Sequence, residues 1–296
     1  MYKSGFVAVV GRPNVGKSTL LNQVLKQKIS IISDKPQTTR NKITMIYSSE
    51  EGQIVFLDTP GIQAPRNKLG EYMLNTSFSS LEGVDAITML VDTSTYIGPK
   101  DEMAIEELRK YKGKIPIILL INKIDLVKKE DILPVIEKYN SYDLFDEIVP
   151  ISAMEGTNVE EYIKIVFENL EEGPQYFPED MITDQPEKFV VAEIIREKGL
   201  EFLKEEVPHG LAIRIESMKE REDRPFFDIE AMIYVERDSH KAIVIGKGAS
   251  MLKKIGTAAR KDIESLLGAR VNLQIRVKVS KNWREKDEKV AHFGYQ

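Results

Sequence analysis

The sequence predicts two domains: an α/β domain with a mostly parallel sheet and helices on both faces, followed by a smaller α+β domain. Residues 5–170 alternate short Val/Ile/Leu-rich runs with helical runs, which is typical of a sheet covered on both faces. Residues 188–280 instead follow the order helix, strand, strand, helix, helix, strand. The chain has 296 residues, which is enough for two domains of ordinary size.

Composition sets the expected boundaries and the class of protein. We assign residues 1–172 to the first domain, 173–187 to a proline-interrupted linker, 188–280 to the second domain and 281–296 to a C-terminal tail. Hydrophobic residues make up 42% of the chain and charged residues 30%, as in soluble globular proteins. No apolar run approaches the ~18 residues of a spanning helix, and no signal peptide is visible. The absence of cysteine excludes disulfides and thiolate metal sites.

Charge is distributed unevenly along the chain. From Ser239 to the C-terminus there are thirteen Lys/Arg and five Asp/Glu, a net charge of +8. The rest of the chain carries −13, which gives the whole chain its net charge of −5. A basic segment attached to an acidic body is typical of a module that binds a polyanion. A solvated lysine-rich face is the alternative that charge alone leaves open.

The elements of the first domain follow from apolar patterning. The predicted strands are GFVAVVG (5–11), KITMIYS (42–48), QIVFLD (53–58), DAITMLVD (85–92), IPIILLIN (115–122) and EIVPIS (147–152). The predicted helices are KSTLLNQVLKQ (17–27) and the stretches around 67–82, 101–112, 130–140 and 158–170.

A phosphate-binding motif joins the first strand to the first helix. Residues 11–18, Gly-Arg-Pro-Asn-Val-Gly-Lys-Ser, fit G-x-x-x-x-G-K-[ST] in the strand–loop–helix context that the motif requires. Its glycines allow backbone N–H groups to surround a phosphate at a helix N-terminus. Lys17 can reach the β- and γ-phosphates, and Ser18 can bind Mg²⁺. The expected contact residues are Gly11, Arg12, Pro13, Asn14, Val15, Gly16, Lys17, Ser18 and Thr19.

Three further motifs each follow a predicted strand. Residues 58–61, Asp-Thr-Pro-Gly, place a carboxylate near the Mg²⁺ shell and an N–H near the γ-phosphate. Residues 122–125, Asn-Lys-Ile-Asp, and residues 152–153, Ser-Ala, follow two later strands. In this order the motifs resemble those of a Ras-type GTPase, an α/β P-loop domain. The resemblance implies ten further nucleotide contacts: Asp58, Thr59, Pro60, Gly61, Ile62, Asn122, Lys123, Asp125, Ser152 and Ala153.

The resemblance to Ras-type GTPases implies GTP and GDP as ligands. Asp125 can accept hydrogen bonds from guanine N1–H and the N2 amino group, which adenine lacks. Residues 35–42, KPQTTRNK, take the position of the family's first switch, where one threonine binds Mg²⁺; we prefer Thr39 and keep Thr38 as the alternative. The expected Mg²⁺ ligands are Ser18, Thr39 and Asp58. The expected catalytic residues are Lys17, Thr39 and Gly61.

One position departs from the Ras-type pattern. Ile62 stands where those proteins carry the glutamine that orients the attacking water, and its side chain has no donor or acceptor. Gln63 lies one residue along, in a different register. Some relatives with a hydrophobic residue here hold a K⁺ ion partly through an asparagine that matches Asn14, which makes Asn14 a candidate K⁺ ligand. We therefore expect slow intrinsic hydrolysis, on the order of 10⁻⁴–10⁻² s⁻¹.

The second domain has its own order of elements. A helix is predicted over 187–206, strands over 211–221 and 226–238, helices over 239–246 and 249–268, and a strand over 270–280. With a glycine turn between the last two helices, this order resembles a type II KH domain, an α+β fold that holds single-stranded RNA.

The glycine turn carries the expected RNA contacts. By the resemblance these are Gly246, Lys247, Gly248, Ala249, Lys253 and Lys254. KH turns read Gly-x-x-Gly, so Ala249 is a departure, and we expect its methyl group to be tolerated if the backbone there is already helical. A second nucleotide site is disfavoured because the turn lacks P-loop spacing, while a plain helix corner remains an alternative. For Trp283 we prefer docking of the tail over stacking on a base.

Both resemblances together cover almost the whole chain, which is similar to the Era family of bacterial GTPases. The stretches RPNVGKST, PQTTR, DTPG, NKID and FGY carry this similarity. It implies a GTP-hydrolysing switch that binds small-subunit (16S) ribosomal RNA near its 3′ end and assists assembly of the small ribosomal subunit. It also implies a cytoplasmic monomer, with peripheral association at the inner face of the cell membrane.

Two other functions remain open at this point. A nucleotide-regulated RNA-binding adaptor with incidental hydrolysis would fit Ile62. A GTPase of tRNA modification would usually need an extra catalytic domain, for which the two predicted domains leave no room.

Overall fold

The computed structural model describes residues 1–295, which fold into two compact units. The first unit comprises residues 1–66 and 70–184, and the second comprises 67–69 and 185 onward. The strands of the first unit are β1 (Lys3–Val10), β2 (Ile43–Ser48), β3 (Gly52–Asp58), β4 (Ala86–Asp92), β5 (Ile117–Asn122) and β6 (Glu147–Pro150). Its helices are α1 (Lys17–Leu25), α2 (Lys68–Ser79, which belongs to this unit from residue 70), α3 (Pro99–Leu108), α4 (Leu133–Asn140) and α5 (Val159–Asn169).

The six strands form one sheet in the order β2-β3-β1-β4-β5-β6. Every neighbouring pair is parallel except β2 with β3. In the middle of the sheet, Val9 of β1 pairs with Asp58 of β3 and with Thr88 of β4. Because the carboxyl ends of parallel strands meet at one edge, the loops that follow them lie together there. This is the edge at which the predicted motifs are placed.

Alternate strand residues face two layers of helices. Ala8 and Val10 of β1 belong to an apolar core that includes Tyr139 of α4. Thr88, whose neighbours in β4 belong to that core, instead hydrogen bonds with Tyr162 of α5 at 2.8 Å. Because strand side chains alternate between faces, α4 and α5 cover opposite sides of the sheet. The predicted α/β class with helices on both faces is confirmed.

The second unit follows the predicted order of elements. These are α6 (Glu187–Phe202), β7 (Ala212–Glu220), β8 (Phe226–Val235), α7 (Asp238–Ile245), α8 (Ser250–Leu267), β9 (Arg270–Val279) and α9 (Asp287–His292). Strand β8 lies between the other two, antiparallel to β7 and parallel to β9. Apolar residues of α6, α8 and the sheet form one core. The predicted α+β class is confirmed.

The C-terminal tail packs onto the second unit through its aromatic residues. Trp283 is fully buried, and its Nε1–H donates a 2.9 Å hydrogen bond to the carbonyl of Gly210. Phe293 meets the Trp283 ring edge-on at 5.1 Å, and Tyr295 stacks on it at 5.8 Å. A ring enclosed in this way cannot stack on a base, so the docking interpretation of Trp283 is confirmed.

Within residues 1–295, no helix is long and apolar enough to cross a membrane. The same residues contain no group of three or more His, Asp or Glu side chains arranged to hold a metal ion.

Candidate nucleotide site and RNA-binding turn

The loop between β1 and α1 has a backbone that only glycine adopts readily. Gly11 has a φ of +147° and Gly16 a φ of +104°. A Cβ atom on Gly16 would also lie 2.2 Å from the side-chain nitrogen of Asn122. The loop borders a cavity of about 60 Å³ lined by Pro13, Asn14, Gly16, Lys17, Ser18, Thr19, Gly61 and residues 31–33 and 37–39. The two glycines thus shape the phosphate-binding turn that the sequence predicts.

Lys17 is held inside this loop. Its Nζ donates hydrogen bonds to the carbonyls of Gly11 at 3.1 Å and Arg12 at 3.3 Å. Burial lowers the pKa of Lys17 to about 8, although the neighbouring Asp58 carboxylate opposes the shift. A phosphate group placed here would favour the charged ammonium, so the side chain is positioned for an anionic ligand.

Three oxygen-bearing side chains converge beside Lys17. The Ser18 hydroxyl lies 2.9 Å from Oδ2 of Asp58 and 3.0 Å from the Thr39 hydroxyl. Asp58 is fully buried, and its Oδ1 has no hydrogen-bond partner among residues 1–295. Burial also raises the pKa of Asp58. A carboxylate and two hydroxyls are hard oxygen donors of the kind that Mg²⁺ prefers, so these residues fit that ion.

The two candidate threonines of the switch segment are placed differently. Thr39 is nearly buried and contacts Ser18. The Thr38 hydroxyl instead donates a 2.6 Å hydrogen bond to the carbonyl of Lys35. The geometry therefore favours Thr39 as the Mg²⁺ ligand.

The segment after β3 is fixed against β1 and the phosphate loop. The Thr59 hydroxyl donates to the carbonyl of Val9 at 2.7 Å, and the Ile62 N–H donates to the carbonyl of Gly11 at 3.0 Å. A Cβ atom on Gly61 would lie 2.7 Å from Pro13, so the backbones approach closely. The Ile62 side chain is buried in the apolar core and cannot orient a water molecule.

Asn122 and Lys123 connect the predicted base-binding loops to the phosphate loop. The Asn122 side chain donates to the carbonyl of Val15 at 2.8 Å and accepts from the N–H of Ala153 at 2.9 Å. Lys123 Nζ donates to the carbonyl of Asn14 at 2.8 Å. These contacts bring residues from three separate loops together, as the motif order predicts.

Asp125 is exposed beside this junction. Its Oδ1 accepts a 2.6 Å hydrogen bond from the Ser152 hydroxyl. The same hydroxyl accepts from the N–H of Glu155 at 3.1 Å, which orients it toward the carboxylate. An exposed carboxylate held in this way can accept from two adjacent donors of a base.

Arg12 contributes its backbone to the phosphate loop, and its side chain is directed elsewhere. The guanidinium lies 2.5 Å from Asp92 at the end of β4 and 3.3 Å from Asp101 in α3. Only its carbonyl contacts Lys17. The ion pairs fix the loop relative to β4 and α3.

The glycine turn between α7 and α8 contains three residues with positive φ. Gly246 has a φ of +72°, Gly248 a φ of +59° and Ala249 a φ of +62°. The condition under which we expected the methyl group to be tolerated, a right-handed helical backbone at Ala249, is therefore not met. Ala249 is the N-cap of α8 in the left-handed region, where a Cβ costs about 1–2 kcal/mol.

A groove of about 280 Å³ runs from this turn along α8 and β9. It is lined by Ala249, Leu252, Lys253, Gly256, Thr257, Arg260, Leu273 and Ile275. Its floor is apolar and its outer side is basic, which suits bases stacked inside and phosphates outside. Lys247 is exposed at the turn. Lys254 faces away from this groove, because its Nζ lies 4.1 Å above the ring of Phe202 in α6.

Comparison with known sequences identifies the family. The pattern described as 50S ribosome-binding GTPase matches residues 6–123, and the KH domain pattern matches residues 206–284. GTPase Era of Clostridioides difficile (strain 630) is 55% identical over 296 residues, which cover all of this chain and 99% of the relative. The chain belongs to the Era family of GTPases. GTPase Era of Alkaliphilus metalliredigens (strain QYMF) is 52% identical, with the same coverage.

Solved Era structures match the whole fold. One is the crystal structure of Era with MgGDPNP and nucleotides 1506–1542 of 16S ribosomal RNA, at 42% identity and a TM-score of 0.95, covering 100% of this chain and 99% of that one. An Aquifex aeolicus Era variant bound to GDP·AlF4⁻ matches at 42% identity and a TM-score of 0.94, with 99% of each chain covered. The predicted combination of a P-loop GTPase domain and a KH domain is confirmed.

In this Era-family chain, two side chains that belong to the sites were not predicted from the sequence: Ser30 and Arg260. Ser30 donates a 2.8 Å hydrogen bond to Oδ2 of Asp58. The Asn22 side chain fixes the Ser30 backbone, because it accepts from the Ser30 N–H and donates to the Ser30 carbonyl. Arg260 lines the groove two turns of α8 beyond Lys253. Helical spacing from Lys253 could have indicated Arg260, but no motif in the sequence marks Ser30.

Proposed function

We propose that this chain is a GTP-hydrolysing switch whose second domain binds small-subunit (16S) ribosomal RNA near its 3′ end and assists assembly of the small ribosomal subunit. The observation that carries the proposal is the presence of both sites in one chain that matches, along its full length, an Era solved with both ligands. The Gly246–Ala249 turn and the loop around Lys17 are the corresponding sites here.

The first site is proposed to select and hold GTP. Backbone N–H groups of residues 14–18 and the ammonium of Lys17 would contact the phosphates. Asp125, oriented by Ser152, would accept from N1–H and N2 of guanine. Asn122 and Lys123 would keep the base-binding loops and the phosphate loop in register through their contacts with Val15 and Asn14.

Ser18, Thr39 and Asp58 would hold Mg²⁺ at this site. When bound, the ion neutralises charge on the β- and γ-phosphates. Thr39 lies in the segment between α1 and β2, so its hydroxyl links the conformation of that segment to the presence of the third phosphate. Gly61, which lines the same cavity, would offer its N–H to the γ-phosphate. These roles make the segment around Thr39 the nucleotide-sensing part of the chain.

Hydrolysis is proposed to be slow because the residue after Gly61 is an isoleucine, whose side chain cannot orient water. The buried side chain of Ile62 leaves this role to other groups. Asn14 is our proposed K⁺ ligand. Its amide nitrogen donates to the carbonyl of Asp34, so a cation would contact its amide oxygen. The proposed turnover rate is on the order of 10⁻⁴–10⁻² s⁻¹, the intrinsic range of Ras-type and Gα GTPases.

The second site is proposed to hold the RNA backbone at the turn and bases in the groove. Gly246 and Gly248 allow close approach of the strand, while Lys247, Lys253 and Arg260 supply positive charge along its path. Lys254 would act on phosphates outside the groove. We place the chain in the cytoplasm as a monomer, with the small ribosomal subunit as its partner and peripheral membrane association as a further location.

Equilibrium binding tests this proposal. The full chain is titrated with a single-stranded oligonucleotide from the 3′ end of small-subunit ribosomal RNA, in the presence of Mg²⁺ with either GDP or a non-hydrolysable GTP analogue. We expect salt-dependent binding that is tighter with the analogue than with GDP. Equal affinity in both nucleotide states would contradict the switch, and no binding in either would contradict the RNA site.

A further inference from the structure

Part of the predicted linker is attached to the first unit along its length. Residues 173–183, which we call the docked segment, begin beside β1. The Gly173 N–H donates to the carbonyl of Tyr2 at 3.2 Å, and the Ser4 hydroxyl donates to the carbonyl of Pro174 at 2.6 Å. These contacts are specific, and a free linker would not make them.

Gln53 of β3 holds the middle of the docked segment. Its Oε1 accepts from the N–H groups of Tyr176 at 3.0 Å and Phe177 at 2.9 Å. Its Nε2 donates to the carbonyl of Phe177 and to the hydroxyl of Ser48, both at 3.0 Å. Gln53 is fully buried, and these four bonds use the whole hydrogen-bonding capacity of its amide.

The end of the docked segment pairs with β2, the edge strand of the sheet. The Ile46 N–H donates to the carbonyl of Ile182 at 2.9 Å. The Thr183 hydroxyl donates to the carbonyl of Thr44 at 2.7 Å. Strand β2 is therefore bonded to β3 on one side and to the docked segment on the other.

We propose that Gln53 is a positioning residue that keeps the docked segment on β2, so that the state of the switch segment is passed along the chain to the RNA-binding domain. Strand β2 begins four residues after Thr39, and α6 begins four residues after Thr183. A displacement of β2 when Thr39 binds or releases its ligand would therefore move the end of the docked segment. This inference rests on the proposed function and names the route of its regulation.

The first test compares the RNA affinity of two variants in both nucleotide states. The readout is the ratio of RNA dissociation constants measured with GDP and with the GTP analogue. Allosteric coupling typically gives ratios of about 5–150, and Gln53→Ala should reduce the ratio to about 1–3. Thr88→Val is the matched control, because it also removes a buried hydrogen bond from the same sheet without touching the docked segment. It should keep the wild-type ratio.

A second variant avoids any effect of Gln53 on folding. Two glycines inserted after Asp184 leave every bond of the docked segment in place and interrupt the connection to α6. This insertion should also reduce the ratio to about 1–3, with nucleotide affinity unchanged. The same insertion after the exposed Gly113 is the control, and should leave the ratio at its wild-type value.

The outcomes separate this inference from the proposed function. Equal RNA affinity in the two nucleotide states of the wild-type chain would contradict the proposed function itself. A wild-type ratio retained by the Asp184 insertion would overturn the route through the docked segment. For Gln53→Ala, amide hydrogen exchange at residues 176 and 177 reports release of the segment, and release with an unchanged ratio would equally overturn it.

Discussion

Ser30 donates a 2.8 Å hydrogen bond to Oδ2 of Asp58, the same oxygen that accepts from Ser18. The two hydroxyls leave Oδ1 of Asp58 as the oxygen without a partner among residues 1–295. Ser30 precedes the switch segment, and Asn22 of α1 fixes its backbone. One carboxylate therefore connects α1, the start of the switch region and the end of β3.

Removing this hydroxyl should weaken Mg²⁺ binding. In Ser30→Ala the Asp58 carboxylate loses one of its orienting donors, and we expect the Mg²⁺ concentration needed for half-maximal retention of fluorescent GDP to rise about tenfold. Ser141→Ala, which removes an exposed hydroxyl bonded to the carbonyl of Lys138, should leave it unchanged. Equal Mg²⁺ requirements in wild type and Ser30→Ala would assign Ser30 a purely structural role.

The depressed pKa of Lys17 predicts how stability depends on pH without nucleotide. Burial lowers this pKa from 10.5 to about 8, so the unfolded chain binds more protons between these values. The free energy of unfolding should therefore rise with pH through that window, by up to about 1.4 kcal/mol per pH unit. Urea unfolding of wild type and Lys17→Met at pH 7.5, 8.5 and 9.5 measures this. The gain should be missing from the variant, and parallel pH profiles would contradict the lowered pKa of Lys17.

A negative charge at the RNA-binding turn should separate the two activities. Gly248→Asp places a carboxylate where phosphates are expected, and should lower RNA affinity about tenfold or more while intrinsic GTP turnover stays near normal. Gly268→Asp is the matched control, since Gly268 at the other end of α8 has the same left-handed backbone and open surroundings. Filter binding and phosphate release on both variants make the comparison. Similar RNA affinities in the two variants would argue against the turn as the contact site.

The left-handed conformation of Ala249 predicts a stabilising substitution. Ala249→Gly removes the Cβ penalty and adds backbone freedom in the unfolded chain, so we expect a net gain of about 0.5–1 kcal/mol in the free energy of unfolding. Ala258→Gly, in the right-handed interior of the same helix, should instead lose about 1 kcal/mol. Denaturant titration followed by circular dichroism gives both values. A loss of stability in Ala249→Gly would mean that the left-handed φ is not retained in solution.

The sequence predicted those parts of the site that lie in short contiguous motifs. The residues from Gly11 to Ser18 and the Asn-Lys-x-Asp element meet because parallel strands end at one edge, which alternation of elements already implies. Ser30 and Gln53 were missed because their roles depend on contacts with Asp58 and with residues 176–177, and neither residue type is distinctive. The side of α8 that Lys254 occupies was missed because adjacent lysines on a helix point in different directions.

The conformation of Ala249 could not be predicted from residue type. An alanine normally favours a right-handed helix, and only the geometry of the turn between α7 and α8 imposes the left-handed region. Likewise, the prolines of residues 173–187 indicated a linker, but could not reveal that Gln53 and Thr44 hold much of it against the sheet.

The most direct test of the central claim is GTP turnover by the full chain in Mg²⁺ and K⁺, with and without a single-stranded oligonucleotide from the 3′ end of small-subunit ribosomal RNA. If the nucleotide site and the RNA-binding turn are coupled, the oligonucleotide should accelerate phosphate release above the slow intrinsic rate. Unchanged turnover under conditions where RNA binding is measured would contradict that coupling, and would favour an RNA-binding adaptor whose hydrolysis is incidental.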